Sequence, residues 1–185
     1  MTKLKYLFLI SVIPILSACQ NPKMLSDEEK TAYLKSGDSI TTEMQAVLLQ
    51  NVSAAIQKGG TEYAVDFCNL EAMTLTDSIS KMHDVGIQRL TDKTRNPKNA
   101  IVEEMDQLAW ERIKSEDQGF LQQDENGEVY FYKPIKIGMP ACIRCHGKKS
   151  EISSTTLEMI QLKYPADRAV DYEQGDLRGM WKVKM

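Results

Sequence analysis

No second Cys-x-x-Cys pair accompanies the one at Cys142 and Cys145, and the two histidines, His83 and His146, are too far apart to form a His-x3–5-His pair. A four-ligand zinc site of the usual spacing is therefore incomplete in this sequence. No basic cluster occurs, and acidic residues outnumber Lys plus Arg by 26 to 23. That balance argues against nucleic acid as a partner, and it leaves room for a small basic protein. No apolar stretch spans a bilayer comfortably, since the run from Tyr6 to Leu16 is short and carries Pro14. Internal repeats and low-complexity tracts are also missing, which excludes a solenoid or a disordered array.

What the N-terminus does have is Lys3 and Lys5 ahead of that apolar run, followed by Leu16-Ser17-Ala18-Cys19. This is the pattern of a bacterial export signal. The last four residues resemble the lipobox of bacterial lipoproteins, and on that resemblance Cys19 is acylated and becomes the first residue of the mature chain. Gln20 rather than Asp after it points to the outer membrane of a Gram-negative cell. The expected organisation is a signal peptide over residues 1–18, a tether over 19–25 and one domain over 26–185. Loss of Lys3 and Lys5 makes the formal charge of −3 more negative by two.

The most informative stretch is Cys142-Ile143-Arg144-Cys145-His146. Two thiols three positions apart suit thioether bonds to the two vinyl groups of a haem, and the adjacent histidine suits an axial position on the iron. The competing readings are half of a zinc site and a free redox dithiol. Of the four cysteines, Cys19 goes to lipid and Cys142 and Cys145 to haem, which leaves Cys68 alone in an oxidising compartment. A lone thiol there is buried, modified or bound.

Ser26 with Glu29 has capping-box spacing, so a helix is expected to start there, pause near Ser36-Gly37-Asp38-Ser39 and resume through Val52. Gly59-Gly60 stops it. The next helix, from Glu62 to about Met82, places Ala64, Cys68, Ala72, Leu75 and Ile79 on one apolar stripe. Cys68 then sits between two alanines, with space for a bulky flat group. A strand is expected from Val85, and a helix capped by Asn96 with Pro97 at its first position should carry Ile101 to Ile113. Asp124 to Gly127 has hairpin-turn chemistry, and Glu128 to Ile135 is the clearest strand. Lys136 to Met139 is expected to be extended, Thr156 to Lys163 helical and Met180 to Met185 a terminal strand. Helices first and antiparallel strands later make the class α+β.

Several separated pieces together resemble the periplasmic PAS-like haem c sensor domains, found alone in cyanobacteria and in DcrA-type chemoreceptors and histidine kinases. They are Ala64 to Cys68, Arg89 to Asn99, Tyr132 to Ile135, Cys142 to Gly147, and Tyr164 to Ala169 through Gly175 to Gly179. Where the family carries a serine this chain has Thr91, which keeps the hydroxyl. Ala100 stands where the family often has proline. The resemblance implies a PAS-like antiparallel sheet flanked by N-terminal helices and one covalent haem. It also implies an iron held between His146 and a cysteine of an early helix, which in this sequence is Cys68.

The residues themselves leave the second axial position to Cys68, to His83, to a methionine such as Met139, Met159 or Met180, or open. His83 sits where a helix is expected to end and suits the helix dipole there. Most methionines are core filler. Arg89, Arg95 and Arg178 lie near family segments and could meet the haem propionates, with Arg95 the choice among them. The function expected from the resemblance is redox or small-ligand sensing in the periplasm, with no enzymatic role, and the alternative is electron transfer. Either needs an unidentified periplasmic redox or signalling partner, reached from a membrane to which the lipid anchor holds the domain.

Overall fold

The computed structural model describes residues 23–185. The expected signal peptide, the lipidated Cys19 and most of the tether lie outside the described residues. None of the described helices is long and apolar enough to cross a membrane.

The chain opens with α1, Asp27–His83, whose start carries the expected capping box: Ser26 Oγ accepts from Glu29 N–H at 3.2 Å, and Glu29 Oε2 accepts from Ser26 N–H at 2.7 Å. Helical geometry fails at Gly59 and Gly60, and Gly60 takes φ +75°, a region that favours glycine. The two halves fold back on one another. His83 Nε2 lies 2.8 Å from Glu43 Oε2, whereas forty residues of straight helix would separate them by about 60 Å. The expected stop at Gly59-Gly60 is thus the bend of a helical hairpin. The expected pause at residues 36–39 is absent, because Gly37 is used for packing: a Cβ there would lie 2.3 Å from Phe131 Cγ.

Four strands follow, β1 Gly86–Leu90, β2 Phe120–Gln123, β3 Val129–Lys136 and β4 Leu177–Lys184. They form one antiparallel sheet in the order β1-β4-β3-β2. The α+β class and the helix-flanked antiparallel sheet are as expected. Alternation along each strand sends side chains to two cores. Ile87, Phe131, Trp181 and Val183 meet Ile40, Met44 and Ile79 of the helical hairpin. Tyr132 and Met180 point the other way, to Ala109, Trp110 and Ile113 of α2, Glu104–Glu116.

The helix expected from Pro97 is shorter than its pattern. Pro97–Asn99 is a single 3₁₀ turn capped by Asn96, and α2 begins only at Glu104. Thr91 N–H donates to Asn99 O at 2.9 Å, and Thr91 pairs with Ala100 as an isolated parallel bridge. The backbone that would have started the helix is held against the end of β1 instead. Two short helices, α3 Pro140–His146 and α4 Ser154–Lys163, lie between β3 and β4.

Candidate functional site

Helix α3 is seven residues long and holds the whole Cys-x-x-Cys-His run. Pro140 at its first turn costs no hydrogen bond, because that N–H has no partner in any helix. Steps of three and four from Cys142 bring Cys145 and His146 to the same side of the helix. All three line one cavity of about 420 Å³ between α3, the sheet and the helical hairpin. Cys68, 74 residues before Cys142 on the second arm of α1, lines the same cavity. Ala64 and Ala72 flank it there as expected, with Leu48, Val52, Ile135 and Trp181 adding apolar wall. The volume falls in the range of small-molecule sites, roughly 300–1,000 Å³.

His146 is held by its backbone-facing nitrogen. Nδ1 lies 2.7 Å from Ala169 O, and a carbonyl can only accept, so Nδ1 carries the proton and donates. The lone pair is then on Nε2, the arrangement a ligating histidine needs. Burial, reinforced by Arg95 and Arg178, holds this imidazole well below its ordinary pKa and therefore neutral. Burial pushes the Cys68 thiol up, with Arg89 and Arg95 opposing, and pushes Cys145 up to about 11. Neither thiol ionises readily until something positive binds it.

Arg95 is the knot of the site. Its Nε and Nη2 donate to the two carboxylate oxygens of Asp167 at 3.0 and 3.1 Å. Nη2 also donates to Cys145 O at 2.7 Å and Ala169 O at 3.2 Å. One guanidinium thus ties the segment after β1 to the motif helix and to the loop that orients His146. That loop is fastened further by Tyr172 N–H to His146 O at 3.0 Å and Asp171 N–H to Gly147 O at 2.9 Å. Thr91, the retained hydroxyl, accepts from Arg178 Nη1 at 3.2 Å and donates to Arg178 O at 3.0 Å.

The other ligand candidates fare differently. His83 pairs with Glu43 at 2.8 Å and is not among the residues lining the cavity. Met180 is fully buried on the far side of the sheet with Trp110 and Ile113. Met159 packs with Val65, Ile160 and Tyr164. Met139 does line the cavity, at the foot of α3 beside the motif. Asp167 and the Ala169 carbonyl are site residues that sequence reasoning missed. Asp167 lies 72 residues from Arg95, and only its place in the Tyr164 to Ala169 segment hinted at a role.

The Tll0287-like family matches residues 25–185. The chain belongs to that family. A solved structure described as the cyanobacterial haem protein Tll0287 is similar at 25% sequence identity with a TM-score of 0.65, over 87% of this chain and 96% of that one. No curated protein matches. The match spans both arms of α1, the sheet and α3, so every element that lines the cavity falls within the Tll0287-like region.

Proposed function

We propose that this domain carries one covalent haem c, bonded through Cys142 and Cys145, with His146 and Cys68 as its axial ligands. The observation that carries the reading is that Cys68 on α1 and the Cys-x-x-Cys-His helix α3 line one apolar-walled cavity. The residues fit a tetrapyrrole: two adjacent thiols, an imidazole with its lone pair free, a thiol on a distant helix and arginines in the wall. The haem named for the similar cyanobacterial protein supports the same cofactor. A zinc site has less support, because among the described residues no three His, Cys, Asp or Glu side chains converge as metal ligands.

Bound iron would supply a one-electron couple, and thiolate ligation would place its potential below that of a methionine-ligated haem. The protein's own part is to hold His146 in one tautomer through Ala169, to supply Cys68 from α1, and to fix both sides of the site through Arg95. Arg95 lines the cofactor cavity as well, and its Nη1 forms no hydrogen bond among the described residues. The role proposed is periplasmic redox or small-ligand sensing, non-enzymatic, exported as a lipoprotein through Cys19 to the outer membrane and read by a periplasmic partner. An electron carrier is the second reading, favoured by an iron flanked on both sides by protein ligands.

A pyridine haemochrome assay on the purified holoprotein tests the cofactor; zinc without haem would end the reading. Potentiometric titration with and without CO or NO then separates the roles. A sensor binds gas as Cys68 leaves the iron, and a carrier cycles without binding it.

A further inference from the structure

Two guanidinium groups in the cavity wall carry charge that no carboxylate of the described chain neutralises. Arg89 on β1 lies two residues from Ile87 and so shares the sheet face toward the helical hairpin. Its guanidinium forms no hydrogen bond and no ion pair among the described residues, the residue is half-buried, and its partial burial lowers its pKa. Arg178 on β4 uses Nη1 for Thr91 Oγ1 and Lys93 O, at 3.2 and 3.3 Å, while its Nε is buried without a partner. Burial, with Arg89 and Arg95 adding to it, pushes Arg178 down to about 10.

The remaining charges around the cavity are accounted for. Arg95 is neutralised by Asp167, and Lys136 pairs with Asp117. Lys98 and Asp77 line the rim, are exposed, and are opposite in sign. The interior therefore holds two cations in excess. A buried charge without a counterion is costly, which makes an anionic occupant favourable. Arginine is suited to carboxylates because its planar fork matches them in two-point contact.

We infer that Arg89 and Arg178 receive the two carboxylates of the bound tetrapyrrole, with Arg89 the principal anchor because its whole donor fork is free. Arg95 adds no net charge there, since Asp167 already balances it. The inference rests on the haem reading above. It accounts for two cations that line the same cavity as His146 and Cys68.

The test uses haem-loaded wild type, Arg89→Gln and Arg89→Lys. Pyridine haemochrome reports whether the haem is attached, so failure of the haem reading itself shows as wild type without haem. In loaded R89Q the ferric-to-ferrous equilibrium should shift about tenfold toward ferric, a fall of about 59 mV for one electron. The potential should also become pH-dependent between about pH 5 and 8, because a carboxylate that loses its cation titrates higher. R89K keeps the charge and should recover most of the potential, while the propionate bending band in its resonance Raman spectrum shifts. Loaded R89Q with the wild-type potential and a flat pH profile would overturn the inference. If R89Q does not load, an unshifted propionate band in R89K overturns it instead.

Discussion

Replacing Asp167 with alanine strands the Arg95 guanidinium inside the protein. The pair is about nine-tenths buried on both sides, at 10% and 9% side-chain exposure, so solvent cannot take over the charge. Breaking a buried pair from one side costs about 3–5 kcal/mol. At about 2–4 °C per kcal/mol for a domain of this size, the melting temperature should fall by roughly 6–20 °C. Asp167 Oδ1 also accepts from Ala169 N–H at 3.0 Å, so the loop that holds His146 Nδ1 loosens at the same time. Removing both charges in R95M/D167L should cost less, leaving mainly the lost bonds to Cys145 O and Ala169 O, about 2 kcal/mol together. Urea denaturation followed by far-UV circular dichroism measures all three proteins. A D167A cost below about 1 kcal/mol, or a double variant less stable than D167A, would refute the reasoning.

Further expectations concern the frame around the site. Gly37→Ala should destabilise by about 1–3 kcal/mol despite the higher helix propensity of alanine, because its Cβ would fall 2.3 to 2.8 Å from three atoms of the buried Phe131; a chemical melt decides the sign. Asp106→Ala should cost about 2–3 kcal/mol, since the Tyr132 hydroxyl donates to Asp106 at 2.6 Å and Lys182 lies 2.9 Å from it, with Glu103 left as the other partner of Lys182. The hydrogen bond from Lys182 holds the Glu103 carboxyl below its usual range. Its contribution is present above the unfolded pKa and lost as pH falls through the folded one. Glu103→Gln should therefore be less stable than wild type at pH 7, with the difference vanishing at low pH, as thermal melts across pH would record.

The legible parts of the molecule were those encoded locally. The capping box at Ser26, the hairpin turn at Asp124 to Gly127 and the alternation of Val129 to Ile135 each act within a few residues, so a pattern reveals them. Cys68 was legible because helical periodicity put it on the buried stripe between Ala64 and Ala72. Two features were not. The helix after Pro97 is overridden by a backbone bond from Thr91 to Asn99, and the pause near Gly37 is overridden by packing on Phe131. Each depends on a partner outside the segment that carries the pattern. Within the site, Arg95 reads in sequence as a partner for the haem propionates, and only the fold brings Asp167 and two carbonyls to it.

The proposed haem would lie between Cys68 and His146. The ferric absorption and electron paramagnetic resonance spectra of haem-loaded wild type and Cys68→Ala test it most directly. Wild type should show a six-coordinate, low-spin, thiolate-ligated iron, and C68A should lose that signature while keeping its covalent haem. Identical spectra for the two proteins would contradict the account.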